Sequence, residues 1–260
     1  MDKILPVFKK LRPIKPQVLS IFPDLADEVS SMTDKYLFPQ LKAEQLEGRV
    51  GLSGYSTYDL IRTFKRETGF KGKIGHGGTL DPFACGVVLL LLGEATKKFE
   101  EIKSWEKVYV AGIRLGAKSS TGDIEGEIKS EAGAKEPTRK EAEEILEGFL
   151  GEQEQRIPVF SAAKFEGKKF YELAREGKNV PERSKKVEIK KIELLNFKYP
   201  LLTIRVSSSG GTYIRQLAED IGEKLKCGGF LYFLEREKVG DYGIKDCISA
   251  EKFNSLNLIN

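Results

Sequence analysis

Histidine and cysteine are scarce in this chain of 260 residues. His76 is the only histidine, and the three cysteines, Cys85, Cys227 and Cys247, form no C-x-x-C pair. An odd number of widely spaced cysteines does not support a disulfide framework, and zinc sites need clustered cysteine and histidine ligands. The sequence therefore predicts no metal site, and it excludes catalysis that needs several histidines.

Long apolar segments are also missing. The longest apolar run, Val87 to Leu92, is far shorter than the roughly 20 residues that cross a bilayer. The first 30 residues lack a basic stretch followed by an apolar run and a cleavage site, which is the pattern of a secretory signal. We therefore expect a soluble, cytoplasmic protein with no membrane segment.

Charged residues are segregated along the chain, although the net charge is only +4. Residues 164–191 contain ten Lys or Arg against five acids, whereas residues 131–154 contain eight acids against three bases. Ordinary solvated faces explain many such runs. A basic face would also suit a polyanion such as RNA, because phosphate contacts supply most of the sequence-independent affinity.

The first 40 residues differ in composition from the rest. They are rich in proline and basic residues and show few periodic signals. We expect an N-terminal extension over residues 1–40 and one folded domain over residues 41–260. Composition leaves open whether the extension wraps the domain, contacts RNA or is partly disordered.

Helix signals occur in three places. One helix is predicted from the N-cap Ser56 to a stop at Gly69, and another after Thr138, where Glu141 completes a capping box. A third is predicted over about residues 212–226.

Alternating apolar and charged residues predict strands over residues 107–115, 187–198 and 201–208. Strands interrupted by scattered helices, without a regular βαβ rhythm, indicate an α+β fold on a largely antiparallel sheet.

The segment KIGHGGTLDPFACGVVLLLLGEATK, residues 73–97, places Asp81 between a glycine-rich turn and an apolar strand. The glycines allow another chain to approach closely, and the apolar run predicts a strand buried on both faces. Asp-Pro beside glycines is commonly a plain turn whose carboxylate caps a nearby amide. Spacing alone leaves this alternative open beside a catalytic one.

This segment resembles the catalytic motif of the TruB family of RNA pseudouridine synthases, in which GH, one residue and G-[AT]-L-D-P precede an apolar strand ending in L-G-x-A-T-K. Further blocks match in the family's order: KVYVAGIRLG from Lys107, SSTGDIEG from Ser119, RIPVFSAAKFEGKKFYELAREG from Arg156, SSSGGTYIRQL from Ser207 and LEREKVG from Leu234. The resemblance covers about residues 48–250.

The resemblance implies a pseudouridine synthase-like catalytic domain, with a mixed, bent, mostly antiparallel sheet flanked by helices and a central RNA-binding cleft. The family's usual C-terminal PUA domain is expected to be absent, because few residues follow the last matching block at Gly240. RNA would then be held by the catalytic domain alone. The reaction involves no redox change, so no cofactor is expected.

The resemblance assigns the catalytic roles to Asp81, Arg215 and Tyr109. Asp81 is the nucleophile, since a carboxylate can attack an electrophilic carbon and later leave. Arg215 is its counter-ion in a desolvated pocket, and Tyr109 offers a flat wall and a hydroxyl for proton transfer. Judged alone, Arg215 fits a surface residue and Tyr109 a core aromatic. The residues do not distinguish attack on the sugar from attack on the uracil ring.

Further residues are assigned to substrate binding. By resemblance, His76 lies beside the flipped nucleotide and stacks on it rather than binding a metal, and Asp123 contacts substrate nucleotides or is a plain hairpin-loop carboxylate. Tyr213 and Leu234 match pocket-lining residues, which packing explains equally well. Candidate phosphate contacts are Lys97, Lys164, Lys168, Lys169 and Arg175.

Two blocks depart from the family pattern. The Lys-Pro-x-Gly element of the family corresponds here to Gly51–Tyr55 (GLSGY), which lacks the lysine and the proline. One supporting contact is therefore unassigned. The P-P-x-[YF]-S-A block reads IPVFSA from Ile157, which keeps an aromatic residue but not the commoner tyrosine.

We therefore expect a monomeric tRNA pseudouridine synthase that acts on position 55 in the T-arm loop. The alternatives are a tRNA-binding protein that has lost catalysis, a guide-RNA-dependent relative of box H/ACA particles, and a protein that binds RNA generically. Retention of Asp81, Tyr109 and Arg215 argues against the first, and the expected absence of a PUA domain argues against the second.

Overall fold

The computed structural model describes residues 3–9 and 56–256. The chain divides into two compact units, unit 1 with residues 1–110 and 233–260 and unit 2 with residues 111–232. The described strands pair mostly antiparallel, with two parallel pairings, and helices are scattered among them. The fold is α+β, as the sequence predicts.

The α-helices of the described ranges are α1 Thr57–Thr68, α2 Phe99–Ser104, α3 Arg139–Glu147, α4 Phe170–Arg175 and α5 Ile214–Lys224. Short 3₁₀ turns cover Gly93–Lys98, Ile244–Asp246 and Ala250–Ser255. None of these helices is long and apolar enough to cross a membrane.

The strands are β1 Lys3–Lys9, β2 Ile74–His76, β3 Cys85–Leu92, β4 Lys107–Leu115, β5 Ala117–Ser119, β6 Ile128–Ser130, β7 Gly151–Arg156, β8 Lys164–Phe165, β9 Lys168–Lys169, β10 Ser184–Lys198, β11 Leu201–Ser208, β12 Gly229–Val239, β13 Tyr242–Gly243 and β14 Ile248–Ser249. Strands β4 and β12 have residues in both units.

The sheet of unit 1 is arranged around β3, whose eight residues are all buried. Strand β3 pairs antiparallel with β1 and β2 and parallel with β12. Its side chains Val87, Leu89 and Leu91 pack in one core cluster with Ile102 and Val239. A strand with apolar residues on both faces needs cover on both, which explains the continuous apolar run in the sequence.

Residues 3–9, which the sequence assigned to an extension, form strand β1 of this sheet. Strand β1 pairs with β3 along its whole length, from Lys3 opposite Leu92 to Lys9 opposite Gly86. Its apolar residues Leu5 and Val7 are buried in the core. The remaining residues of the predicted extension, 10–40, lie outside the described residues, as do Gly51–Tyr55.

Unit 2 contains the antiparallel strands β7, β10 and β11, with β10 between the other two. The pairing of β10 with β11 has two register shifts. These irregularities let the 15-residue strand β10 pair with the shorter strand β11. Two small hairpins, β5–β6 and β8–β9, and helices α3, α4 and α5 complete the unit.

Several predicted boundaries are confirmed. Helix α1 has Ser56 as its N-cap in a capping box with Asp59, and Gly69 ends it in the left-handed conformation at φ 67°. Strands β4 and β11 match the predicted ranges, and β10 begins three residues before the predicted residue 187. The sequence missed β12, whose long apolar run was not recognised as a strand.

Candidate active site

The loop between β2 and β3, residues 77–84, carries Asp81 and has no strand partner for most of its backbone. Buried carbonyl groups need hydrogen-bond donors, so side chains must supply them. Lys9, at the end of β1, does so for the second half of the loop. Its Nζ donates to the carbonyl oxygens of Asp81 at 2.8 Å, Pro82 at 3.0 Å and Ala84.

Lys9 is completely buried, although lysine is rarely found inside proteins. An ammonium group carries three donors, and three carbonyl acceptors compensate for much of its lost hydration. The charge of Lys9 also reaches the buried Cys85, where it opposes the rise in the pKa of the thiol caused by burial and by the charge of Glu235.

Arg236 of β12 holds the first half of the loop. Its guanidinium donates to the carbonyl oxygens of Thr79 at 3.2 Å, Gly78 at 3.3 Å and Val87 at 2.7 Å. Arg236 is 2% exposed. Lys9 and Arg236 therefore act as two buried cations that fix one loop from strands on either side of β3.

The remaining loop contacts come from the backbone of β3 and from α1. The Gly77 amide donates to the Leu89 carbonyl at 2.8 Å. The Leu80 amide donates to the Thr57 hydroxyl at 3.2 Å, and that hydroxyl lies 3.5 Å from the Leu80 carbonyl oxygen. Side chains from three elements thus hold the backbone that presents Asp81.

Gly86 shows why the loop must be followed by glycine. Its φ is +109°, and an added Cβ would clash with the Arg236 carbonyl oxygen and lie 2.7 Å from the Arg236 nitrogen. Only glycine combines this backbone conformation with such a close approach of β12.

Asp81, Tyr109 and Arg236 form one electrostatic group within unit 1. The Tyr109 side chain is 8% exposed, and the charges of Arg236 and Asp81 both act on its hydroxyl group. Burial raises the pKa of Tyr109, and the Asp81 charge adds to this rise, whereas Arg236 opposes it. The phenol is thus a buried proton carrier beside a carboxylate and a fixed cation.

His76 ends β2, next to the same loop, and is half-buried. Its ring meets the Phe99 ring edge-on, with 6.5 Å between centroids. Burial and the charge of Arg236 lower the pKa of His76, and the backbone at Gly78 opposes this. The imidazole is therefore neutral at neutral pH, which suits stacking.

Leu234 lies in β12 and is 3% exposed. Its carbonyl oxygen accepts a hydrogen bond from the Cys85 thiol at 3.6 Å. Its burial in the strand does not distinguish the pocket role from the packing role, so the pocket role stays a prediction.

Arg215 and Asp123 lie together in unit 2. Arg215, in the first turn of α5, is 6% exposed and donates to the carbonyl oxygens of Thr121 and Phe160, each at 2.8 Å. Its Nε lies 3.6 Å from Asp123 Oδ2. Asp123 is 5% exposed, and its Oδ1 accepts from the Thr121 hydroxyl at 2.6 Å and the Glu125 amide at 2.9 Å, contacts that a hairpin-loop carboxylate also makes.

Tyr213 is the residue before α5, and the side chain of Gln155 holds its backbone. Gln155 Oε1 accepts from the Tyr213 amide at 2.8 Å, and Gln155 Nε2 donates to the Tyr213 carbonyl at 3.0 Å. The Lys185 ammonium lies 4.2 Å from the centroid of the Tyr213 ring.

The candidate phosphate contacts occupy two places. Lys97, in unit 1, is exposed and pairs with Glu94. The others lie on β8, β9 and α4 in unit 2. There the Lys169 ammonium and the Arg175 guanidinium lie 5.3 and 5.6 Å from the centroid of the Tyr171 ring. The rest of this group is Lys164 and Lys168, both exposed, the latter paired with Glu176.

The sequence thus predicted the residues that the loop presents but missed those that hold it. Arg236 belongs to the matching LEREKVG block, so its place in a family motif was an available signal. Lys9 lay within a region assigned to an extension, and only the strand pairing reveals it. The predicted pairing of Arg215 with Asp81 joins residues of different units and stays a prediction.

Among residues 3–9 and 56–256, no group of three or more His, Cys, Asp or Glu side chains has the arrangement of a metal site.

Solved structures define the class of fold. The chain matches a chain of a Cbf5-Nop10-Gar1 complex with a TM-score of 0.58 and 23% identity, over 80% of this chain and 55% of that one. A chain of an H/ACA RNP bound to a substrate RNA containing 2'-deoxyuridine matches with a TM-score of 0.56 and 22% identity, over 76% of this chain and 48% of that one. The chain spans about half the length of these solved chains, with which it shares a fold.

Sequence relatives define the family. Residues 65–214 match the model of the TruB family pseudouridylate synthase N-terminal domain. A tRNA pseudouridine synthase B of Phocaeicola vulgatus is 47% identical over 183 residues, 70% of this chain and 78% of the relative. The enzyme of the same name from Parabacteroides distasonis is 41% identical over 205 residues, 77% of this chain and 87% of the relative. The chain belongs to the TruB family of pseudouridylate synthases.

The neutral state of His76 is directly testable, because the chain has one histidine and hence one set of imidazole resonances. We expect a proton NMR titration to give a pKa below the ordinary value of about 6.5. The unfolded chain then binds the proton more readily, so His76 lowers the free energy of unfolding as pH falls below about 6.5.

The His76→Gln variant is the control for both observations. It should lack the titrating imidazole resonance. Its free energy of unfolding should fall less steeply than that of wild type as the pH falls below about 6.5. A measured pKa at or above the ordinary value would contradict the assigned environment.

Proposed function

We propose that this chain is an enzyme that isomerises uridine to pseudouridine in tRNA. One observation supports this most strongly: the loop carrying Asp81 is fixed through its carbonyl groups by Lys9 and Arg236, with Tyr109 beside it. Relatives with more than 40% identity are named tRNA pseudouridine synthase B.

Asp81 acts as the nucleophile. It forms a covalent bond to a carbon of the uridine, and the glycosidic N1–C1′ bond breaks. The uracil turns, C5 bonds to C1′, and the Asp81 carboxylate leaves. The C5 proton is lost and N1 gains a proton, so atoms and electrons balance with no redox change.

Tyr109 takes part in the proton transfer and provides a flat face for the base. Burial raises the pKa of the phenol, which is protonated at neutral pH, while the charge of Arg236 favours the ionised form. Arg236 therefore reduces the cost of moving the phenolic proton. The phenol can donate its proton to N1, and the phenolate that remains, stabilised by the charge of Arg236, can then accept the C5 proton.

The uridine must leave its stack to reach Asp81, which costs a few kcal/mol. His76, neutral and half-buried beside the loop, stacks on the displaced nucleotide. Arg215 serves as the counter-ion of Asp81, supported by the two carbonyl groups and the Asp123 carboxylate that fix its guanidinium. Tyr213 and Leu234 line the pocket.

We place the target at position 55 in the T-arm loop of tRNA, with the enzyme acting as a monomer in the cytoplasm. The support is the name of the relatives together with the exposed basic side chains around β8, β9 and α4. Cations and an aromatic ring on one surface suit both phosphates and unstacked bases.

The activity is tested by tritium release from a tRNA transcript labelled at uridine C5. Wild type should release tritium because the C5 proton is lost during isomerisation. The Asp81→Asn variant should lose activity by at least about 1,000-fold, since an amide cannot replace the nucleophile. Its affinity for tRNA should stay within about threefold of wild type.

Asp241→Asn is the matched control, because Asp241 is an exposed aspartate of the same unit. It should keep wild-type activity. An active Asp81→Asn variant would refute the nucleophile. An inactive wild type that binds tRNA tightly would favour a binding protein that has lost catalysis.

The basic surface predicts a salt-dependent affinity. Binding of tRNA should weaken steeply as salt rises, because phosphate contacts release counter-ions. The double variant Lys164→Gln/Arg175→Gln removes two charges and should reduce the slope of log K against log salt by about 1.5. A filter-binding series from low to high salt measures both slopes.

Arg139→Gln/Lys140→Gln is the control. These two residues are exposed on α3 and form ion pairs with Glu143 and Glu144, on the acidic stretch of the chain. The control should keep the wild-type slope. Equal slopes in all three proteins would remove the assignment of this surface to RNA.

A further inference from the structure

Gln155 occupies a position that the reaction chemistry does not explain. It lies on β7 in unit 2 and is 2% exposed, whereas its strand neighbours Glu154 and Arg156 are exposed. A buried primary amide is costly unless its donor and acceptor are both satisfied. Both are satisfied by one residue, Tyr213.

The geometry resembles the pairing of two strands. Gln155 Oε1 accepts from the Tyr213 amide at 2.8 Å while its Nε2 donates to the Tyr213 carbonyl at 3.0 Å. The side-chain amide thus replaces a neighbouring peptide group. Tyr213 has an extended backbone, φ −93° and ψ 104°, immediately before α5, which is the conformation that such a pairing holds.

The same strand pair holds the Tyr213 ring. Lys185 of β10 is opposite Gln155 in the register of β7 and β10. Its ammonium lies 4.2 Å from the ring centroid and donates to the Gly211 carbonyl. Backbone and ring of Tyr213 are therefore fixed from two adjacent positions of one sheet.

The contact between Gln155 and the Tyr213 backbone also fixes the start of α5. The Tyr213 carbonyl also accepts from the Leu217 amide at 3.1 Å, which is the first hydrogen bond of the helix. Arg215 lies two residues after Tyr213 in the same turn, held by Thr121, Phe160 and Asp123. A shift of the Tyr213 backbone would therefore move the Arg215 Cα as well.

We propose that Gln155 is a positioning residue for pseudouridine formation, fixing Tyr213 and the first turn of α5 without touching the substrate. This inference rests on the proposed function. Loss of the contact leaves Asp81 and the basic side chains of β8, β9 and α4 in place but loosens Tyr213 and Arg215.

The test is Gln155→Glu, which keeps the side-chain volume but replaces the donor with a second acceptor facing the Tyr213 carbonyl. Single-turnover conversion of a tRNA transcript should slow by about 10- to 100-fold, since small misplacements cost that much. The dissociation constant for tRNA should change by less than about threefold. Hydrogen exchange at the Tyr213 amide should accelerate, whatever the activity.

Gln153→Glu is the matched control. Gln153 lies two residues earlier on the same strand, and its Nε2 donates to the Phe149 carbonyl at 2.8 Å, away from Tyr213. This variant loses a comparable hydrogen bond and should keep the wild-type rate and Tyr213 exchange. It separates positioning from a general loss of stability in β7.

Two results would overturn the inference. One is a wild-type single-turnover rate in Gln155→Glu, and the other is an equal loss of rate in Gln153→Glu. Failure of the proposed function looks different: wild type itself would then release no tritium from uridine C5, and the positioning role would fall with it.

Discussion

Buried carbonyl groups without ladder partners impose the main constraint on this molecule. The loop that presents Asp81 cannot form regular secondary structure, because the chain must turn sharply into β3. Its carbonyl groups therefore require donors from elsewhere, and Lys9 and Arg236 supply them. A charged donor suits this task because charge-assisted hydrogen bonds are stronger than neutral ones. The charge of the same Arg236 also opposes the rise in the pKa of Tyr109 that burial causes, so one side chain both supports the loop and acts on the phenol.

Each unit holds in place a segment that has no strand partner, and the two units use different side chains for this. Unit 1 fixes its loop with buried cations, whereas unit 2 fixes the segment before α5 with the Gln155 amide. In both, the supporting residue lies on a strand distant in sequence and is almost inaccessible to solvent. A side chain on a strand has little freedom once the sheet is formed, so it can define the position of a loop that has no partner of its own.

Much of the fold and of the site was predictable from local signals. The buried strand β3 followed from its apolar run, and α1 from Ser56 and Gly69. Asp81 stood out through its motif. Lys9 was not predictable as a supporting residue, because lysine is nearly always exposed and no local pattern marks the exception. The pairing of β1 with β3 bridges more than 70 residues of sequence, and only the three-dimensional structure reveals it.

The central claim is that the loop bearing Asp81 is held by side chains from distant strands, and Lys9→Met tests it most directly. Hydrogen exchange of the Leu80 and Ala84 amides should be compared among wild type, Lys9→Met and Lys3→Met, since Lys3 is exposed on the same strand. We predict exchange at least about tenfold faster in Lys9→Met than in the other two, with a parallel fall in single-turnover conversion. Wild-type exchange and conversion in a folded Lys9→Met protein would contradict the account.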